Sequence, residues 1–367
     1  MNIPLIVIIS VFYIFCVLIL YIALLAKRRG AKGAYVNNLG NFIILFSSLS
    51  INLVLVSFFH FSSMQFIVFP FDITMIIFFP IFLLIFSLLM WREKRIISDE
   101  SKDETFITSL ESASNELPLK YEIYRKITHL LVIGIILFYF TIGSWIRDIL
   151  LDLIQFLPDT FSDLFFSLFL NGAHSMIFNQ YLVIFLVAIS LFGLLTADFT
   201  RILKPKLYPL KPVNQILRKK ELYMRLGPHI SMAIGCFSII ILYGLFQPIG
   251  PIIISTSMIM SVFGDMASNL IGRTFGKTKI TPIGKKETNK TYIGLLAGFA
   301  IAYLSGALLL LILKAYYLFN LWGLLFIPLI GALIIGLLDY FDLEIDDNLT
   351  YPFILSTILF FISFLFI

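Results

Sequence analysis

PLIVIISVFYIFCVLILYIALLAKRR, Pro4–Arg29, decides the fold. Twenty-three residues pass without a charge before Lys27, Arg28 and Arg29 end the run. At ~1.5 Å per helical residue, roughly 20 apolar residues cross a hydrocarbon core of ~30 Å. No basic residue precedes the run, and AKRRG follows it instead of a small-residue cleavage site. It therefore reads as a retained span and not as a cleaved leader.

The rest of the chain repeats the pattern. Of 367 residues, 59% are hydrophobic, 13% are charged and 39 are Phe. A soluble domain of that length cannot hide so much apolar surface, so the bilayer must be the solvent. The expected fold is an all-α, polytopic membrane helix bundle of about ten spans. They lie approximately at 4–26, 41–63, 67–90, 126–143, 180–197, 228–246, 248–264, 291–313, 321–338 and 350–367. Twenty-five of the 27 Lys and Arg fall in alternate loops; Arg147 and Lys314 lie in the others. Basic residues mark loops that are not translocated, so the basic loops are expected in the cytoplasm and both termini outside. The sequence pI near 9.0 is then a topology signal that needs no nucleic-acid partner. Cys16 and Cys236 fall within predicted spans without metal-ligand spacing and read as packing residues.

Organisation along the chain is simple. Residues 1–95 carry three spans with little polar chemistry, Asp72 near an interface excepted. IISDESKDETFITSLESASNELP, Ile96–Pro118, is a polar, acidic cytoplasmic linker. Residues 119–367 carry the chemistry. Between spans four and five, WIRDILLDLIQFL places Ile146, Ile149, Leu150, Leu153 and Leu157 on one helical face, as expected of a helix lying in the outer interface.

Five polar clusters fall at the cytoplasmic ends of spans. In YRKITHLL, Arg125 and His129 share a helical face, and His129 lies a turn inside the apolar run, where an ionisable group is costly. In TADFTRILKPKLYP, Asp198 and Arg201 are spaced for a structural ion pair. In RKKELYMRLGPH, Glu221, Arg225 and His229 line up at four-residue steps if the helix passes Gly227-Pro228. In GDMASNLIGRTFGKTKITPIGKK, Gly264–Lys286, a continuing helix puts Asp265, Asn269 and Arg273 on one stripe with Ser268 alongside. Gly264, Gly272 and Gly276 leave room for a ligand or a neighbouring helix. Lys277, Lys279, Lys285 and Lys286 follow. A carboxylate beside such fixed positive charge suits a metal–phosphate ligand, with Mg²⁺ bridging phosphate oxygens. Finally, DYFDLEIDDNLTYP, Asp339–Pro352, is acidic in a protein of basic loops. Asp346, Asp347 and Asn348 are hard oxygen ligands suited to Mg²⁺, or a solvated turn with Asn348 capping the last span.

These clusters, in this order, resemble the dolichol kinase family, which includes phytol kinase and the CTP-dependent diacylglycerol kinase and is related to phosphatidate cytidylyltransferases. The likeness runs from RKITH (125–129) through ADFTR (197–201), the Glu221–Arg225 segment and GDMASNLIGRTFGKTKI (264–280) to DDNLTYP (346–352). It implies an integral membrane enzyme passing the γ-phosphoryl of CTP to a lipid alcohol such as a polyprenol or dolichol, with a divalent metal such as Mg²⁺. Carried over, Asp265, Asp346 and Asp347 would hold the metal. Arg273, Lys277, Lys279, Lys285 and Lys286 would hold the triphosphate, with Lys126, Arg201, Arg225, Ser268 and Asn348 as further nucleotide contacts. His129 and Arg125, with Asp265 and Asp347, would carry the chemistry. The resemblance leaves the bacterial or archaeal plasma membrane and the endoplasmic reticulum both open. Two other readings stand beside the kinase: a CDP-lipid-forming cytidylyltransferase, and a transporter or flippase of anionic lipid. The chain departs from the pattern of the family it resembles at KKETNKT, where Asn289 and Lys290 stand in place of an expected Glu and Gly.

Overall fold

The computed structural model describes residues 3–57, 65–97, 119–169, 175–282, 288, 290–316 and 319–367. Among them regular structure is helical throughout, apart from one antiparallel bridge between Lys279 and Thr291. The expected helical membrane bundle is what the chain forms. The helices are α1 (Ile3–Arg28), α2 (Lys32–Ser57), α3 (Phe71–Ile97), α4 (Leu119–His129), α5 (Leu131–Leu137), α6 (Gly143–Gln155), α7 (Asp159–Leu168), α8 (Ser175–Leu203), α9 (Lys219–Leu222), α10 (Pro228–Tyr243), α11 (Ile249–Phe275), α12 (Tyr292–Ile312), α13 (Leu321–Phe341) and α14 (Asp347–Ser363). Both the linker beyond Ile97 and His174 lie outside the described residues.

Among the described residues, eight helical runs are long and apolar enough to cross a membrane. The expected sixth and tenth spans are the shorter apolar helices α10 and α14. α10 starts where expected and ends at Tyr243; α14 starts three residues earlier than expected and ends at Ser363. Pro228 opens α10 after a non-helical stretch, and Asp346 caps α14 by accepting from the Asn348 amide. The cap is therefore Asp346, not Asn348. The expected interface helix is not separate from span four. α5 runs into α6 through a π-helical turn, Phe138–Ile142, making one helical run from Leu131 to Gln155. Asn179 donates to the Tyr139 carbonyl (2.7 Å) at that turn, as expected where an irregular backbone must be satisfied away from water.

The chain forms two compact units, Met1–Thr128 with Ile184–Phe237, and His129–Val183 with Ser238–Ile367. Packing thus cuts across the sequential division at residues 95 and 118: the three N-terminal helices share a unit with the 184–237 segment.

In the first unit α1 packs on α2 and α3. Its centre is aromatic, with Phe12 stacked on Phe237 at 4.9 Å and Phe79 on Phe192 at 4.1 Å. Lipid is as apolar as these rings, so close packing and polar contacts must drive helix association. The polar part comes from α2, whose Asn37, Asn41, Ser48 and Asn52 recur at helical spacing and are all buried.

In the second unit α11 is the hub, packing against α12, α13 and α14. Its contact with α12 is built on glycine. A Cβ at Gly298 would stand 2.9 Å from the Ser268 Cβ and 3.1 Å from the Gly264 carbonyl. One at Gly272 would stand 3.3 Å from the Gly294 Cα. The glycines of the quoted stretch serve a neighbouring helix, the second of the two uses the sequence allows.

Candidate functional site

The polar clusters gather into two groups, one in each unit. In the first unit the group is organised by arginine. The segment Glu221–Gly227 lies between α9 and α10 and is not helical beyond Leu222; Met224 takes a left-handed conformation, φ 55°. The expected stripe Glu221–Arg225–His229 is therefore broken: Pro228 cannot donate to the ladder, so the helix restarts there.

The segment is held from three sides. Arg201, one turn after Asp198 on α8, donates Nε to its carboxylate. Its two remaining nitrogens reach the carbonyls of Glu221 (3.1 Å), Leu222 (3.3 Å) and Arg225 (2.7 Å). The second oxygen of Asp198 accepts the Gly227 amide at 3.0 Å. Arg125 of α4 pairs with Glu221 at 3.1 Å. From α2, Asn38 donates to the Met224 carbonyl and accepts from the Leu226 amide, and Asn37 accepts from Arg225. A fixed guanidinium fork suits this work, because each planar donor finds its own acceptor. The expected Asp198–Arg201 pair is thus present. Arg125, Arg201 and Arg225, expected at substrate or nucleotide, are engaged with the protein's own backbone and side chains. His129, the last residue of α4, is buried and is the first residue of the second unit.

In the second unit the group is organised by aspartate. α11 does continue past Asp265, and Asn269 folds back onto both the backbone carbonyl and the carboxylate of Asp265. Ser268, on the adjoining face, donates to Asp339 Oδ2 at 2.6 Å. Asp339 lies two residues before the end of α13 and is buried. The chain then turns at Asp342, in the left-handed region at φ 42°, and Asp346 and Asp347 open α14. Tyr351, one turn on, donates to Asp339 Oδ1 at 2.9 Å. Asp265, Asp339 and Asp346 all lie close enough to act electrostatically on Asp347.

Among the described residues, the cation that sits among these carboxylates is Lys290. After α11 the chain folds back on itself. The Ile280 amide donates to the Lys290 carbonyl, the Lys279–Thr291 bridge closes the return, and Thr291 caps α12 by accepting from the Gly294 amide. Lys290 is thereby delivered to the acidic group. Its Nζ lies 2.7 Å from Asp339, 3.1 Å from Asp347 and 3.5 Å from Asp342. Burial alone would make this amine easier to deprotonate. The carboxylates, Asp347 first and then Asp339 and Asp342, more than offset that and hold it charged well above the ordinary lysine range.

Of the expected site residues, the structure brings together Asp265, Ser268, Asp346, Asp347 and Asn348. Arg273, Lys277 and Lys279 follow Asp265 on the same stretch and are exposed. Lys285, Lys286 and the side chain of Lys126 lie outside what is described. Sequence reasoning missed Asp339, Lys290 and Tyr351 as site residues. Asp339 had a readable signal, an ionisable residue at the end of an apolar run. Lys290 had one too, as the residue that departs from the resemblance.

Among the described residues no group of three or more His, Cys, Asp or Glu side chains is placed to hold a metal ion. Asp346 is occupied as a helix cap, and Asp347 faces Lys290. Carboxylates are the donor type that a hard cation takes, and those of Asp339 and Asp347 already face the Lys290 ammonium, but they are not arranged as a metal ligand set. No family model, curated protein or solved structure matches the chain.

Proposed function

We propose that the chain is a membrane-embedded phosphotransferase that passes the γ-phosphoryl group of CTP to the hydroxyl of a lipid alcohol. The observation that carries this reading is convergence. The GDMAS block and the DDNLT block, about 80 residues apart, are the most specific parts of the resemblance to the dolichol kinase family. In the folded chain, Ser268 of the first lies 2.6 Å from Asp339, and Asp265 interacts with Asp347 of the second. A solvated acidic turn would not draw a buried aspartate, a serine and a lysine from three other segments.

The parts divide the work. Asp265 of α11 and the aspartates that open α14 would hold Mg²⁺, which supplies charge neutralisation on the phosphate oxygens. Arg273, Lys277 and Lys279, exposed beyond Asp265, bind the triphosphate, with Lys285 and Lys286 next to them in sequence. The lipid hydroxyl attacks the γ-phosphorus, its proton goes to a base drawn from His129 and the cluster aspartates, and CDP leaves. Basic-loop bias sets this chemistry on the cytoplasmic face, where nucleotide is available.

The test is one assay on the full chain in detergent with Mg²⁺, a polyprenol, a lipid phosphate, and CTP labelled at either the α or the γ phosphorus. The kinase predicts CDP release and γ-label in lipid. Pyrophosphate release with α-label in lipid would replace it with the cytidylyltransferase. No transfer to any lipid would leave the transporter.

A further inference from the structure

Lys290 does the opposite of what a loop lysine at a membrane surface ordinarily does. Such a residue lays its stem on apolar surface and carries its ammonium into water. Here the side chain is 19% exposed, and the ammonium is turned inward onto three carboxylates from α13, the α13–α14 turn and α14. Its closest partner, Asp339, already accepts from Tyr351 on the same oxygen and from Ser268 on the other. The hairpin and the Thr291 cap fix where the Lys290 backbone stands. The residue that the resemblance would place there is glycine, which carries no charge.

We propose that Lys290 is a built-in cation occupying the place of a divalent ion at Asp339 and Asp347, so that metal binds this cluster only by displacing the lysine. The proposal rests on the reading of the cluster as a metal–phosphate site. Its basis is competition. One compact ammonium saturates oxygens that a hard cation would need, and a positive charge within a few ångströms opposes a second one in a partly buried setting. Displacement is possible because a lysine is a point charge on a flexible four-carbon stem. The lysine holds Asp339 and Asp347 in place when metal is absent, and raises the metal concentration needed to half-fill the cluster.

The experiment needs neither CTP nor lipid, so its outcome is independent of whether the kinase assay succeeds. Mn²⁺ binding to the purified full chain is followed by the electron paramagnetic resonance signal of the free ion. Lys290→Met and Lys290→Gln should bind Mn²⁺ at least about tenfold more tightly than the parent protein. Lys290→Arg, which keeps the charge, should bind as weakly as the parent. Adding Asp339→Asn to Lys290→Met should abolish the gain. Both neutral variants binding no more tightly than the parent would overturn the proposal. A second measurement uses the unaltered protein: saturating Mn²⁺ should raise acylation of Lys290 by an amine-specific reagent, read by peptide mass spectrometry. Labelling that Mn²⁺ leaves unchanged would equally overturn it.

Discussion

The two polar groups use the same currency to opposite ends. Around Arg201, the described arginines outnumber the described acids that face them, and the donors of Arg201 beyond its pair with Asp198 go to main-chain carbonyls of Glu221, Leu222 and Arg225. Around Lys290, aspartates outnumber the lysine, and the contacts run between side chains. A guanidinium fork that threads backbone carbonyls makes a joint, because every donor has one fixed acceptor. A single ammonium shared by several carboxylates makes a position that another cation can contest. Charge at a membrane surface is therefore read better from what it touches than from its amount.

Several substitutions separate the joint from the site. The largest effect is expected at Arg201→Met. The pair with Asp198 is buried, 3% and 2% exposed, and removing one partner of such a pair costs about 3–5 kcal/mol. The variant should yield little monodisperse protein in detergent, and what is recovered should melt early. A normal melt would show that the joint is not structural. Next, Asp265→Asn should lower phosphoryl transfer by at least about a hundredfold, the usual scale for losing one electrostatic contact at a reacting centre, while the melt stays close to the parent's. Near-normal turnover would remove Asp265 from the site.

Gly298→Val tests the helix contact beneath the site. The new side chain meets Ser268 and the Gly264 carbonyl, and such overpacking costs about 1–3 kcal/mol. Thermal melting should fall, and transfer should fall with it, because Ser268 positions Asp339. Tyr351→Phe is the mildest change. It removes one hydrogen bond to Asp339, worth about 0.5–1.5 kcal/mol, and should lower the melt of the otherwise unaltered protein only slightly. A loss as large as that of Arg201→Met would mean that the two groups are energetically alike, contrary to the comparison.

Much of this was readable before folding was considered. The membrane bundle followed from uncharged runs, and the Asp198–Arg201 pair and the Asp265–Asn269 step followed from helical spacing, because both are local. The break at Tyr223–Gly227 was half visible in Gly227-Pro228. What spacing could not show is that Asn37 and Asn38, in a helix with no resemblance to use, would close the joint around Met224 and Leu226. The same limit hid Asp339 and Tyr351, whose partners lie on other helices.

The amino-acid sequence by itself determined that this is a membrane protein, which residues lie in its apolar runs and which charges gather at their ends. Those properties depend on the transfer cost of each segment and on contacts within a turn or two. Only the tertiary structure decided which charges meet. Lys290 and Asp339 are 49 residues apart, and their 2.7 Å contact exists because a hairpin, a helix cap and two helix ends bring them together. Electrostatic partnership falls off over a few ångströms, and the distance along a chain says nothing about that.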